Sequence, residues 1–337
     1  MEIPKIELPY KPFAISLTST LSPNEYLSVA TFETSIPNQL DIFQYNSDSF
    51  IKLDSSDECK FSFPITSCKF APNHSSDITE FLLTGAESVK LWSVVDNSIK
   101  LQSEYKINQT NNPITSIDWC PENRVLAIAA STDNSVSILD FVADCVSANI
   151  LAHDNPIHDC AFCGDQNYFA TAGYDGSLRL CDVRDLSSLT LVYQAAMPLL
   201  RISPSPIDSN LIALFGRSAT GVTLVDIRSP GLPIAASTHV DKEVSGIAWS
   251  VENLGVLYSV NNAGQLRVCD FSSGKTMAPS SVIHETGEKN EAIAVTQGKV
   301  AIVYENCLDI GIINENDGLE LLSEELSEEL SEDLCEE

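Results

Sequence analysis

A five-residue pattern that returns seven times restricts this chain more than any other feature of its sequence. Leu178-Arg179-Leu180-Cys181-Asp182 alternates apolar and polar residues and follows the turn signal Asp175-Gly176. That combination is expected of a half-buried strand entered through a tight turn. The same shape stands at residues 136–140, 222–226 and 266–270, with looser copies at 40–44, 89–93 and 308–312. The fourth positions of the copies are 43, 92, 139, 181, 225, 269 and 311, at successive gaps of 49, 47, 42, 44, 44 and 42 residues. A period of roughly 40–45 residues is that of a four-stranded propeller blade. Such a blade cannot bury both faces alone, so the repeats must pack on one another around a ring.

The other strands fall where the period requires them. Short alternating segments at 65–70, 114–119, 157–162 and 244–249 precede copies of the pattern, and apolar segments such as 81–84 and 126–129 lie between. The expected fold is all-β: a seven-bladed WD-repeat β-propeller over residues 1–313, followed by an acidic C-terminal tail over 314–337. Residues 3–10 precede the first blade and are placed to serve as the outer strand of the last. The last copy ends near Ile313 with no room for an outer strand of its own. A ring closed this way leaves no exposed edge.

Charge narrows the choice of partner. The chain has 47 acidic residues against 19 Lys and Arg, a formal charge of −28. No basic stripe is present to release counterions from DNA or RNA, so proteins are the expected partners. Residues 315–337 supply 11 of the acids and no Lys or Arg. They contain a tandem Leu-Ser-Glu-Glu repeat whose leucines, Leu322, Leu326, Leu330 and Leu334, would share one helical face while the glutamates repel. The tail reads either as a disordered, solubilising extension or as an acidic helix that folds onto a basic partner groove. No apolar run reaches the roughly 18–20 residues of a membrane helix, and the first residues lack the layout of a secretory signal. A soluble intracellular protein follows as the expectation, its ten cysteines being buried free thiols rather than disulfides.

Few residues invite a chemical reading. Cys160 and Cys163 have metal-like spacing, but residues three apart on a strand face opposite ways and no second pair exists. His153 and His158, near Asp154, Asp159 and Asp175, suggest a catalytic set with a nearby serine, or simply buried structural hydrogen bonds. The second fits the position of these residues at a blade entry better. Arg201 is expected to fix a loop. The sequence contains no phosphate-binding P-loop, no H-E-x-x-H, no dinucleotide fingerprint and no G-x-S-x-G turn. No enzyme activity, cofactor or metal is therefore expected. Asp182-Val183-Arg184 and Asp226-Ile227-Arg228 are more informative, because each follows directly on a blade's third strand in consecutive repeats. The arginine either caps its own strand as an ion pair or offers a bidentate contact to another subunit at the propeller rim.

An ordered set of segments carries a family resemblance. Ile150-Leu151-Ala152-His153-Asp154, Ala172-Gly173-Tyr174-Asp175-Gly176-Ser177, Asp182-Val183-Arg184-Asp185-Leu186, Val225-Asp226-Ile227-Arg228-Ser229-Pro230 and Glu305-Asn306-Cys307-Leu308-Asp309-Ile310 resemble the WD-repeat adaptors of the transparent testa glabra family. The animal counterpart of that family is the adaptor of dual-specificity tyrosine-regulated kinases. The likeness runs nearly to Ile313. It implies a scaffold in the cytoplasm and nucleus that joins MYB and basic helix-loop-helix transcription regulators or tethers protein kinases to substrates. Some relatives also resemble substrate receptors of cullin–RING ubiquitin ligases, which dock on the ligase adaptor through a D-x-R after a blade's third strand. Asp182 with Arg184, and Asp226 with Arg228, occupy such positions. The chain departs from the pattern in keeping the third-strand tryptophan only as Trp92. It keeps the turn aspartate six residues before the fourth position only as Asp133 and Asp175, which with His153 form the expected structural hydrogen-bond set.

Overall fold

The computed structural model describes residues 6–314 and 318–321, apart from 19–24, 35–36, 47–48, 55–56, 73–78, 96–97, 108–111, 123, 164–166, 239–241, 273, 275, 279 and 297. Seven antiparallel sheets follow one another along the chain. Each copy of the repeated pattern lies in the third strand of a blade, as in Val89–Val95, Ser135–Asp140, Ser177–Asp182 and Gly221–Asp226. The strands of a blade are lettered A to D from the ring axis outward. Blade four is typical, with Ile157–Phe162, Tyr168–Gly173, Ser177–Asp182 and Asp185–Gln194 in that order.

The burial of each strand follows from its place in the blade. Strand B of blade three, Leu126–Ser131, is covered on both faces by neighbouring blades and is buried from its second residue onward. It therefore carries an unbroken run of small and apolar residues. The outer strand Cys145–Leu151 alternates exposed and half-buried positions, because only one of its faces meets another blade. Strand A carries a recurrent irregularity. In six of the seven blades the register slips near the start of the strand, as between Ile114 and Ser116, Ile157 and Asp159, and Leu199 and Arg201. A bulge of this kind bends the strand and re-aims one side chain, and in blade four that residue is His158.

Among the described residues, seven hydrophobic clusters hold the ring, and each is shared by two adjacent blades. Trp92, Leu82 and Phe70 of blade two pack with Tyr26, Leu40 and Ile42 of blade one. The cluster that closes the circle joins Leu27, Val29 and Phe43 of blade one to Ala301, Val303, Leu308 and Ile310 of blade seven. Ile6–Glu7 pairs with Leu308 and Cys307, which places the start of the chain on the outer edge of blade seven as the sequence leads one to expect. Leu8 and Tyr10 are buried beside it, and the Tyr10 hydroxyl donates to the Asp41 carboxylate.

The same edge holds a second strand that the sequence reading leaves no room for. Strand C of blade seven runs from Cys307 to Asn314, and Gly318–Leu321 turns back to pair with Gly311–Asn314. The outer edge of this blade is thus a composite of two short pieces from opposite ends of the chain. The sheet extends past the expected boundary at 313; the Leu-Ser-Glu-Glu repeat at 322–337 lies outside the described residues. No helix among the described residues is long and apolar enough to cross a membrane.

Candidate functional site: a docking rim

The ring has two rims. One carries the B–C turns and the loops that enter each blade; the other carries the A–B loops and C–D turns. On the C–D rim, strand C ends in Asp140, Asp182, Asp226 and Asp270 in four consecutive blades. Each carboxylate accepts the backbone N–H two residues on, at 2.8–2.9 Å from Val142, Arg184, Arg228 and Ser272. The aspartates therefore build the turns, as their residue type favours. The turn is laced to its own blade's A–B loop by a further backbone bond, from Val183 to Asn167 and from Ile227 to Asn210.

Only blades four and five add an arginine. Arg184 donates from Nε and Nη2 to the two oxygens of Asp182 at 2.9 and 2.7 Å, and from Nη2 to the Tyr168 hydroxyl at 3.1 Å. Arg228 binds Asp226 in the same fork, at 2.9 and 2.6 Å. The bidentate bonds from Arg184 hold the Asp182 carboxyl down at about 2. The guanidiniums are thus capped within their own blades, and the side chains of Arg184 and Arg228 still stand 60% and 62% exposed. These bonds show the capping reading: the aspartate orients the fork, and the rest of each guanidinium is exposed to solvent.

Sequence reasoning missed the apolar residues beside these forks. Val142 and Leu232 in the C–D turns are 80% and 76% exposed, and Ile207, Val251, Leu254 and Met277 on the same rim are also exposed. A lone exposed apolar residue is ordinary; several on one rim beside oriented arginines mark the candidate docking edge.

The other predicted residues are structural. His153 is buried in blade four, with Nδ1 3.0 Å from Asp175 Oδ2 and Nε2 2.8 Å from Thr171 Oγ1. Ser177 Oγ also lies 3.1 Å from Nδ1, and donates to Asp175 at 2.7 Å. Serine and aspartate thus crowd the same ring nitrogen, so no proton relay runs through the imidazole, and burial seals the set from substrate. Arg179 completes it, bonding Ser177 and the Ala152 carbonyl. Asp133 caps its turn through the Ser135 amide and hydroxyl. Trp92 donates from Nε1 to Thr84 at 2.9 Å, the counterpart of Thr171 one strand in. The hydrogen-bond set is therefore divided: blade four keeps its histidine end and blade two its tryptophan end.

Asp159 accepts the amides of Cys160 and Ile202 at 3.1 and 2.8 Å, joining blades four and five. Arg201, expected to fix a loop, lies instead in strand A of blade five, Leu199–Pro204, and reaches the carbonyls of His158 in strand A of blade four and of Leu200. Cys160 and Cys163 lie in different inter-blade clusters, on opposite sides of blade four. The nine described cysteines are free thiols, all buried but Cys145. No group of three or more potential metal ligands is found among the described residues.

Comparison with known proteins agrees with this architecture. The family model "WD domain, G-beta repeat" matches residues 99–140 and 145–182. Each match begins in the outer strand of one blade and ends in strand C of the next, the one-strand stagger that lets the chain's first strand close the last blade. They are also the repeats that keep Asp133 and Asp175. The chain is 29% identical over 275 residues to the DDB1- and CUL4-associated factor 7 homolog of Dictyostelium discoideum, covering 79% of this chain and 83% of that protein. It is 25% identical over 254 residues to an uncharacterized WD repeat-containing protein of Schizosaccharomyces pombe, covering 67% of this chain and 58% of that one. A crystal structure of the mitotic checkpoint complex contains a chain that superposes with a TM-score of 0.71 at 14% identity, over 92% of this chain and 94% of that one. That last likeness concerns the fold alone. The chain is a seven-bladed WD-repeat propeller.

Proposed function

We propose that this propeller is a non-catalytic adaptor that assembles protein complexes through its C–D rim. The observation that carries this reading is the pair of oriented, outward-facing arginine forks in adjacent blades, flanked by exposed Val142, Leu232 and Leu254. An aspartate that pre-orders the fork lowers the entropy lost when a partner's carboxylate or carbonyl cluster binds, and exposed apolar side chains supply area around it. The partner classes that follow from the resemblance are MYB or basic helix-loop-helix regulators and protein kinases, met in the cytoplasm and nucleus.

A second reading rests on the same forks. The Dictyostelium relative is named for association with DDB1 and CUL4, and the D-x-R placement supports a substrate receptor of a cullin–RING ligase. Binding of a purified ligase adaptor to the full chain and to the Arg184→Ala/Arg228→Ala variant separates the two. The receptor reading expects at least a tenfold loss in the variant. Unchanged or absent binding removes that reading and leaves the adaptor reading with the other partner classes.

A further inference from the structure

The C–D turn of blade five is longer than that of blade four. In blade four Asp182 pairs directly with Asp185 across a tight turn. In blade five strand C ends at Asp226 and the outer strand begins only at Ala235. Residues 228–234, Arg-Ser-Pro-Gly-Leu-Pro-Ile, are exposed without a break. Backbone bonds from Ser229 to Asp226, Gly231 to Val192 and Ile234 to Leu224 hold them. A segment that buries so little opens locally at small cost. Within it Ser229 precedes Pro230, which biases the serine toward extended backbone. That is the form in which a kinase holds its acceptor residue, and proline-directed protein kinases select the Ser-Pro step.

The sequence has four Ser-Pro steps, and the fold separates them. Ser22-Pro23 lies outside the described residues. Ser203 is in strand A of blade five, paired with Ala213, and its carbonyl accepts the Trp249 indole N–H at 2.7 Å. Ser205 is buried, and its hydroxyl oxygen accepts the amides of Ile207 and Asp208 at 3.4 and 3.2 Å. Neither can enter a kinase active site without opening the blade. Ser229 can, and its neighbour on the chain is a fork arginine. Arg228 is 62% exposed and binds Asp226 through its guanidinium. Asp226 also accepts the Arg228 backbone N–H, so it keeps its turn when the guanidinium leaves. A phosphoserine offers roughly −1.5 to −2 charges and three acceptor oxygens, against one negative charge on a carboxylate.

We propose that Ser229 is the phosphoacceptor of a proline-directed protein kinase, and that its phosphate takes the Arg228 guanidinium from Asp226. In the transfer Ser229 Oγ attacks the γ-phosphorus of ATP while its proton passes to the kinase's catalytic carboxylate. The bond from that phosphorus to the β-phosphate oxygen breaks, and ADP leaves. The phosphate then forms charge-assisted bonds with the neighbouring guanidinium. The blade-five fork is withdrawn, and a dianion stands where a partner's carboxylate would bind. That last consequence, a switch on docking, rests on the adaptor reading; the modification and the exchange of partners at Arg228 do not.

The test treats the full, folded chain with ATP, magnesium and a purified mitogen-activated or cyclin-dependent protein kinase, and locates phosphate by mass spectrometry. Ser229 is expected to be modified at least tenfold faster than Ser203 or Ser205, and Ser229→Ala to lose that phosphate. A Ser229 left unmodified by both kinases, or modified no faster than Ser203 and Ser205, overturns the site. Phosphorus NMR of the modified chain across pH then reads the contact with Arg228. A free phosphoserine takes up its second proton near pH 6, and a bound guanidinium favours the dianion, so the midpoint should lie at least about 0.5 lower in the unaltered chain than in Arg228→Ala. Equal midpoints overturn the exchange at Arg228. Both substitutions fall on exposed turn residues, and an unchanged melting temperature checks that the ring stays folded. Neither readout uses a partner, so their failure strikes this proposal and leaves the adaptor reading, and failure of the adaptor reading leaves them unchanged.

Discussion

At the residue scale, blade four depends on a glycine as much as on its histidine. A Cβ on Gly173 would stand 2.6 Å from His153 Nδ1 and 2.9 Å from Asp175 Oδ1. Gly173→Ala must push the imidazole off its partners and leave buried polar atoms unsatisfied, a cost of about 1–3 kcal/mol. A melting temperature several degrees lower is expected; an unchanged one would show that the set adds nothing to stability. Removing Trp92, which is fully buried, should cost more, about 3–5 kcal/mol for Trp92→Ala in a denaturant titration.

Acid acts on the same residues. Burial lowers the His153 pKa below its ordinary 6.5, although Asp175 and its hydrogen bond pull upward. The unfolded chain therefore takes up that proton first, and stability should fall as pH drops below 6.5 toward the folded value. Burial raises Asp175, but the Ser177 hydroxyl and amide and His153 outweigh it, so its carboxyl sits below 3.8. That contribution is lost only at more acidic pH. Melting curves between pH 7 and 5 should fall for the unaltered chain and flatten for His153→Gln; parallel slopes would remove His153 as the cause. His153 and Asp175 were legible in the sequence because they stand at fixed offsets within a repeat. The division of the set between blades two and four was legible only in part. The lone Trp92 showed one end, but its partner Thr84 has no signature of its own.

At the scale of the strand, closure of the ring separates what pattern can reveal from what it cannot. The first residues alternate and precede a complete blade, so their role on blade seven could be read from the spacing. Gly318-Leu319-Glu320-Leu321 could not, because two leucines and an acid at the head of an acidic segment look like the beginning of a tail. The inner-strand bulges were likewise hidden, since one inserted residue barely disturbs a period of two over six residues. Truncation distinguishes the two closing pieces. Removing residues 1–10 strips buried Leu8 and Tyr10, each worth about 1.5–3 kcal/mol, and should sharply lower the melting temperature. Ending the chain at Asn314 removes one short edge pairing and should lower it less, whereas ending at Leu321 should leave it unchanged. A large loss from the Leu321 truncation would mean that residues 322–337 support the ring.

At the scale of the whole molecule, the number of blades followed from spacing alone, and seven inter-blade clusters account for why seven repeats make one closed core. The proposed docking rim was legible only through its arginines. Leu232, Leu254 and Val142 are isolated apolar residues in loops, and such residues acquire meaning only when the fold gathers them on one rim. The central claim is that this rim binds proteins. Its most direct test is affinity purification from native extract with quantitative mass spectrometry, comparing the full chain with one carrying Arg184→Ala, Arg228→Ala and Leu232→Ser. All three side chains are exposed, so the variant should remain folded, with stability within about 0.5 kcal/mol per site. The account predicts stoichiometric partners with the unaltered chain and their depletion by at least fivefold with the variant. An identical set of partners on both chains, or none on either, would contradict it.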